Sequence, residues 1–323
     1  MGRCELSVVI PTRDRPERLR ETLAGLGRQV LEPDSTEILV VDNGSDPGSG
    51  SDCRPAPEPD AEGPVVIRFL REPQPGASAA RNLALREARG HVILFLSDDT
   101  PPASDDLLTS HLELHRVHPE PEYAVLGRID WDPGLEVSAF MDWLSRSGFL
   151  FSYDRLRPGP VPPSTNFISS HVSAKCSILR KVGAFDERFP YLMEDVELGI
   201  RLQVEGLSLS YHPELVVHHD HPQTLEGFLE RMFEVGVAAR RLHALWPDDA
   251  PPEVQRPRPR WVLYPPLDLT ARAALEVNPP ERFTERAWNL RVMAAYVRGY
   301  RSGVPGPLRS ASSRSRHRAG PAC

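Results

Sequence analysis

The chain has few cysteines, and they stand far apart. Cys4, Cys53, Cys176 and Cys323 form no C-x-x-C pair, which excludes a zinc knuckle or a dithiol motif and suits a reducing compartment. Long apolar runs are also missing. No stretch approaches the roughly 18 residues of a spanning helix, and the first apolar run is too short for a secretory signal. Met1-Gly2 opens like a myristoylation pattern, but Leu6 fills the position that pattern reserves for Ser or Thr. Positive charge is not in excess: 38 Lys and Arg against 45 Asp and Glu leave a net charge of -7, which argues against nucleic acid as a partner. The G-x-G-x-x-G and G-x-x-x-x-G-K-[ST] patterns are absent. Gly44, Gly48 and Gly50 are only a faint echo of a phosphate loop. These absences leave a cytoplasmic chain, with the inner face of a membrane as the one further location to weigh.

What is present reads as alternating strands and helices. Residues 6–10 (LSVVI), 37–41 (EILVV), 65–70 (VVIRFL) and 92–96 (VILFL) are short apolar, β-branched runs of the kind buried in a parallel sheet. Between them, Leu19, Leu23, Leu26 and Val30 recur at helical spacing behind Pro16. Residues 77–89 form a second helical stretch before Gly90, and residues 105–117 a third. This order predicts an α/β fold with a mostly parallel central sheet flanked by helices. Farther on, residues 123–129 predict a strand, 194–206 a helix and 208–219 one or two short strands. Residues 223–245 predict a long helix that could pack on the preceding α/β domain and shape its ligand site. Residues 47–63, 157–163 and 247–266 read as a loop, an irregular loop and a Pro-rich linker. A final helical region follows at 281–301, and residues 309–323 read as a basic disordered tail. The division reads as 1–222, an α/β domain; 223–308, a helical C-terminal extension; and 309–323, the tail.

Ligands of open parallel sheets sit beyond the carboxyl ends of the strands. Thr12, Asp42 and Asp98-Asp99 all fall there. An acidic pair directly after a buried strand is costly unless a cation compensates it. A hard divalent cation shared with phosphate oxygens would do so, and a solvated cap is the other reading. Asp42 reads either as an Asx-turn residue before Asn43-Gly44 or as a ligand group. Glu194-Asp195-Val196-Glu197 opens a helix, where acids complement the dipole or supply a general base. In His218-His219-Asp220-His221, strand alternation puts His219 and His221 on one face and His218 on the other; a metal ligand and an exposed polar cluster both fit.

Taken in order, these segments resemble the inverting glycosyltransferases of family two, which have the GT-A fold. The resemblance spans about residues 6–222 and rests on Val9-Ile10-Pro11-Thr12 with Arg15, Val40-Val41-Asp42-Asn43-Gly44-Ser45, Gly76 with Ala80-Arg81-Asn82, Phe95-Leu96-Ser97-Asp98-Asp99, Val182-Gly183-Ala184-Phe185-Asp186-Glu187, and Glu194-Asp195-Val196-Glu197-Leu198. It implies a nucleotide-diphosphate sugar donor held by Pro11, Thr12, Arg15, Asp42, Arg81 and Asp98. It implies Mg2+ or Mn2+ at Asp99 and Asp98, with His218 or His219 as a third group, and a catalytic base at Asp195 beside Glu194. The sugar would pass with inversion to an acceptor hydroxyl on a glycan or a lipid-linked carrier, in the synthesis of a polysaccharide or glycoconjugate. Two departures stand out. Ser97 occupies a position where the family usually has Asp, and His171, in Ser169-Ser170-His171-Val172-Ser173, stands where Asn is common, which suggests an unusual acceptor.

Two other functions compete: a catalytically idle nucleotide-sugar binder, motivated by Ser97, and a nucleotidyltransferase, whose G-x-G-T-R opening is missing. At the far end, Arg291, Arg298 and Arg301 with Trp288, Val292 and Tyr296 read either as a solvated helix or, with the arginines of the tail, as a peripheral contact with an anionic membrane.

Overall fold

The computed structural model describes residues 4–30, 35–45, 66–150, 152–252, 254, 256–258, 261, 263–276 and 279–303. The expected 47–63 loop and 309–323 tail lie outside these residues.

The chain opens with β1 (Leu6–Thr12), α1 (Pro16–Gly27), β2 (Thr36–Asp42), β3 (Val66–Arg71), α2 (Ala77–Glu87), β4 (Val92–Leu96) and α3 (Leu107–Val117). Pro16 stands in the first turn of α1, where its missing N–H costs nothing. Leu19, Leu23 and Leu26 point inward, whereas Val30 lies beyond the helix and is exposed. β5 (Tyr123–Trp131), β6 (Gly159–Val161), β7 (His171–Lys175) and β8 (Ser208–His219) complete one sheet in the order β3-β2-β1-β4-β7-β5-β8-β6. Pairing is parallel from β3 through β4 and again between β5 and β8. β7 runs antiparallel to β4 and to β5, and β6 antiparallel to β8.

One antiparallel strand between two parallel groups restores the original direction. The carboxyl ends of β1, β2, β4, β5 and β8 therefore open on the same edge, which brings Thr12, Asp42, Asp98-Asp99 and His219 to one side of the molecule. The central strands are apolar on both faces because helices cover both: β4 is buried at all five positions.

Three segments differ from the sequence reading. Residues 208–219 form one strand, with a register shift opposite Leu126 and Arg128. Within 157–163, Gly159–Val161 joins the sheet; this works because β6 is an edge, where Pro160 lacks only an N–H that no neighbour requires. The Pro-rich stretch gives way at Tyr264 to helix α9 (Tyr264–Glu276).

A second apolar core lies beside the sheet domain. Helix α4 (Ala139–Ser147) contributes Phe140, Trp143 and Leu144. Two short helices, α5 (Pro163–Asn166) and α6 (Cys176–Lys181), and then α7 (Glu194–Val204) follow in the chain. The long helices α8 (Leu225–Leu245) and α10 (Glu281–Ser302) bring Phe228, Met232, Val292, Ala295 and Tyr296 to the same core. The C-terminal helices thus share their core with a helix inserted between β5 and β6. Val292 and Tyr296, read above as one face of a surface helix, are buried there, with Trp288 packed against them. Arg291 and Arg298 pair with Asp268 of α9. Among the described residues, no helix is long and apolar enough to cross a membrane.

Candidate functional site

The turn after β4 builds the floor of the site. Ser97 N–H donates to Thr100 Oγ1, and that hydroxyl donates back to the Ser97 carbonyl. Thr22 of α1 holds the Asp98 carbonyl at 2.9 Å. The Asp98 and Asp99 side chains are thereby fixed at the sheet edge, 1% and 6% exposed. Thr12 Oγ1 donates to Asp98 Oδ2 at 2.8 Å. Arg15 spans the pair, with Nη2 3.0 Å from Asp98 Oδ1 and Nη1 2.9 Å from Asp99 Oδ2. Burial nevertheless pushes the Asp98 carboxyl up to about 6, against the pull of Arg15 and with the Asp99 charge adding to the rise.

His219 Nε2 lies 3.8 Å from Asp99 Oδ2, and burial holds its imidazole below the ordinary value, in the neutral form that can ligate a cation. His218 faces Asp132 instead, at 4.0 Å, on the other side of β8. The alternation of the strand selects His219 and turns His218 away.

Helix α7 supplies the opposite wall. Met193, at its N-cap, adopts φ 64°, a left-handed conformation that costs about 1–3 kcal/mol for a residue with a side chain. This bend turns Glu194 and Asp195 toward the cavity. Glu194 is engaged by Arg81, 2.9 Å away, and both are buried. The ion pair engages Glu194 and part of the Arg81 donor set, and Arg81 Nε is buried without a hydrogen-bond partner. Asp195 is held by the Val196 N–H at 2.8 Å. Burial and the neighbouring Glu194 charge push its carboxyl up to about 7, with Arg81 pulling the other way.

Thr12, Arg15, Asp98, Asp99 and His219 on one side and Arg81, Glu194 and Asp195 on the other line one cavity of about 1100 Å³, together with Pro11, Asn43, Ser97 and Ser170. Asp42 is not among the residues that line it. Its Oδ1 accepts the Ser45 N–H at 2.9 Å, closing an Asx turn, and its Oδ2 lies 4.0 Å from Arg71. Asn43, one residue on, lines the cavity and accepts the Gly76 N–H at 2.9 Å. Ser97 Oγ donates to Ser170 Oγ at 2.9 Å. His171 is not at the acceptor side. It is fully buried on β7, 3.2 Å from His111.

The donor set suits a hard divalent cation: two adjacent carboxylates, an imidazole, and a buried oxygen, Asp98 Oδ1, on which no hydrogen bond is aligned. Among the described residues, no group of three or more His, Cys, Asp or Glu side chains is placed to hold a metal ion by itself. A cation here would draw its remaining ligands from phosphate oxygens and water.

The sequence pointed to the far end of the cavity only through the long helix at 223–245. Arg231, Met232 and Val235 of α8, Trp261, Tyr264, and Met293 of α10 line that end.

A family model described as glycosyl transferase family 2 matches residues 7–174. The uncharacterized glycosyltransferase YfnE of Bacillus subtilis is 27% identical over 267 residues, which cover 68% of this chain and 66% of that protein. The pre-mycofactocin glycosyltransferase of Mycobacterium tuberculosis is 29% identical over 255 residues, 77% of this chain and 50% of that protein. This chain thus spans less than two thirds of each relative's length. In fold it is similar to the mannosyltransferase PcManGT from Pyrobaculum calidifontis, solved in complex with GDP-Man and Mn2+, with a TM-score of 0.60 and 18% identity over 94% of this chain and 89% of that one. A match over more than half of the residues, carried on a GT-A sheet with its acidic pair at the strand ends, decides the family: the chain belongs to glycosyl transferase family 2.

Proposed function

We propose that the protein transfers a sugar from a nucleotide-diphosphate donor to an acceptor hydroxyl, with inversion and with help from a divalent cation. The observation that carries this reading is the single cavity that joins Asp98, Asp99 and His219 at one wall to Asp195 at another. The acidic wall suits the donor's diphosphate and its cation, with Thr12 and Arg15 beside it and Asp42 and Asn43 at the end of β2 for the nucleoside. A bound Mg2+ or Mn2+ would supply Lewis-acid stabilisation of the departing diphosphate.

The protein's own residues account for the rest. Asp195 is raised into the range of a working base and held in orientation by the Val196 N–H. It accepts the acceptor's hydroxyl proton as that oxygen bonds to the anomeric carbon. The bond from the anomeric carbon to phosphate breaks, and its electron pair leaves with the nucleoside diphosphate. One displacement inverts the centre. Arg81 and Glu194 neutralise each other behind Asp195 and keep its wall rigid. A role in glycan or glycoconjugate synthesis follows from this chemistry and from the family.

The test is transfer from a panel of nucleotide sugars with Mn2+, with product configuration read by NMR. Asp195→Asn is expected to lower turnover by about 100-fold or more with donor binding kept. In the wild type, kcat/KM is expected to rise with pH through about 7 as Asp195 ionises. A retained configuration, or full turnover by both Asp195→Asn and Asp99→Ala, would defeat the reading. Tight donor binding with no transfer to any acceptor would favour the idle binder.

A further inference from the structure

The cavity has two ends of opposite chemistry. Around Asp98 and Asp99 it is lined by Thr12, Arg13, Arg15 and Asn43. Beyond Asp195, its lining turns to Phe149, Met232, Val235, Trp261, Tyr264 and Met293, drawn from the loop after α4, the stretch before α9 and the C-terminal helices. We propose that this second end is an acceptor subsite for a compact, apolar, ring-bearing alcohol, in which the ring system lies against the C-terminal helices and the hydroxyl reaches Asp195. The proposal rests on the transfer reading above and narrows its acceptor to an aglycone.

Three observations carry it. The first is polarity. A sugar ring presents several hydroxyls, and each one buried without a partner costs about 1–3 kcal/mol. Met, Val, Trp and Phe side chains offer few partners. The polar groups of this end are few: Arg231, Glu234 and Asn289 stand on exposed positions, and Trp261, Tyr264 and Tyr296 each carry one polar atom on a ring.

The second is the aromatic wall. Met232 and Trp261 are mostly buried against their neighbours and are held in place at this end. Phe149, Trp261 and Tyr264 line it, and their flat faces favour a flat, apolar ring. Aromatic walls add ring-to-ring contact to the apolar burial.

The third is continuity. Met193, Asp195 and Val196 lie on the same wall, so an occupant of the apolar end begins beside the base. Arg231 of α8 stands near enough for its charge to bear on both Asp195 and His219, which ties the C-terminal helices to the junction of the two ends.

The test uses the full chain with a nucleoside diphosphate and Mn2+, and 2-naphthylmethanol as the probe, followed by saturation-transfer NMR. The probe is expected to bind. Val235→Asn and Met293→Gln are each expected to raise its Kd by about fivefold or more, while Met293→Leu keeps it and all three variants keep wild-type affinity for the nucleoside diphosphate. Val235 and Met293 are partly buried, and the unchanged nucleotide affinity reports that each variant is folded. Probe binding that ignores both polar variants would overturn the subsite. So would displacement of the probe by neutral oligosaccharides, or occupancy of this end only by a long-chain polyprenyl phosphate. Loss of the transfer reading is seen separately, in the Asp99→Ala and Asp195→Asn turnover assays. A probe that fails to bind while those assays succeed defeats the subsite alone.

Discussion

Arg15 places one positive charge between two carboxylates that burial would otherwise leave poorly compensated. The guanidinium touches both Asp98 and Asp99, and it is itself half exposed. A divalent cation approaching the same oxygens must displace it or share them. Removing one charge at this range is worth on the order of 1 kcal/mol after solvent screening, or about fivefold in affinity. Arg15→Gln is therefore expected to bind Mn2+ alone about fivefold more tightly, as read by electron paramagnetic resonance of the free ion. Its affinity for a nucleoside diphosphate is expected to fall, because the displaced guanidinium is no longer there to meet the phosphates. Unchanged or weaker Mn2+ binding would instead make Arg15 a residue that orients the carboxylates for the cation. Asp98, Asp99 and Asp195 were legible in the sequence because each ends or begins an element whose type the apolar pattern had already set. The divided fate of the histidine pair was legible only as a choice, since alternation says that His218 and His219 part without saying which faces the site. The pairing of Glu194 with Arg81 was not legible for a different reason: the two are distant in the chain and adjacent only in the fold.

Helices α8 and α10 cross at two glycines, and the crossing sets the apolar end of the cavity. A Cβ on Gly299 would lie 1.8 Å from the Phe233 carbonyl oxygen, and one on Gly236 would lie 2.1 Å from the Tyr296 carbonyl oxygen. Both obstacles are backbone, so neither can move aside as a side chain would. Gly299→Ala is expected to cost about 1–3 kcal/mol in urea unfolding. Because α8 carries Met232 and Val235 and α10 carries Met293, the variant should also weaken 2-naphthylmethanol binding while leaving nucleotide binding intact. An unchanged unfolding midpoint would show that the helices part easily and that the crossing does not fix the wall. The sequence announced both helices through their apolar positions but not their contact. Helix pairing depends on which small residues meet, and a glycine inside a helical pattern reads only as a weakness until its neighbour is known. α9 was hidden for a related reason, because Pro265 and Pro266 stand in its first turn, where the same residues that mark a linker also begin a helix. β6 was missed because an edge accepts a proline that a central strand would reject.

At the scale of the whole molecule, the sheet carries a buried polar seam that the function does not use. His171, His111 and His115 are 0%, 0% and 4% exposed, and Gly127 leaves the room that the His171 ring occupies. The hydrogen bonds run in one direction. His171 Nδ1 sits 3.0 Å from the Arg128 carbonyl and must donate to it, so His171 Nε2 accepts from His111 Nε2. His111 Nδ1 then accepts from Ser173 Oγ at 2.9 Å, and that hydroxyl accepts from His115 Nε2 at 2.8 Å. His115 Nδ1 accepts from Lys175 Nζ at 2.9 Å. Every ring is satisfied in the neutral form, and a proton added to any of them would break a link. Burial holds His115 at about 3, His171 at about 4 and His111 well below its ordinary value. The unfolded chain protonates these rings near pH 6.5, and the folded chain does so only far below. The unfolded state therefore binds more protons in this window, and the stabilisation present above pH 6.5 is lost as pH falls toward 4. Asp98 and Asp195 act in the opposite sense, since their raised values let the folded state hold protons that the unfolded state releases. The wild-type slope is thus a difference of opposing contributions, and a variant comparison isolates the seam. His115→Gln retains an amide N–H toward Ser173 and removes one titrating ring. Against wild type, its unfolding free energy by urea titration is expected to fall less steeply between pH 6 and pH 4, by about 1.4 kcal/mol per pH unit. Parallel pH profiles for the two proteins would mean that His115 is already charged in the fold and that the direction assigned to this chain of hydrogen bonds is wrong.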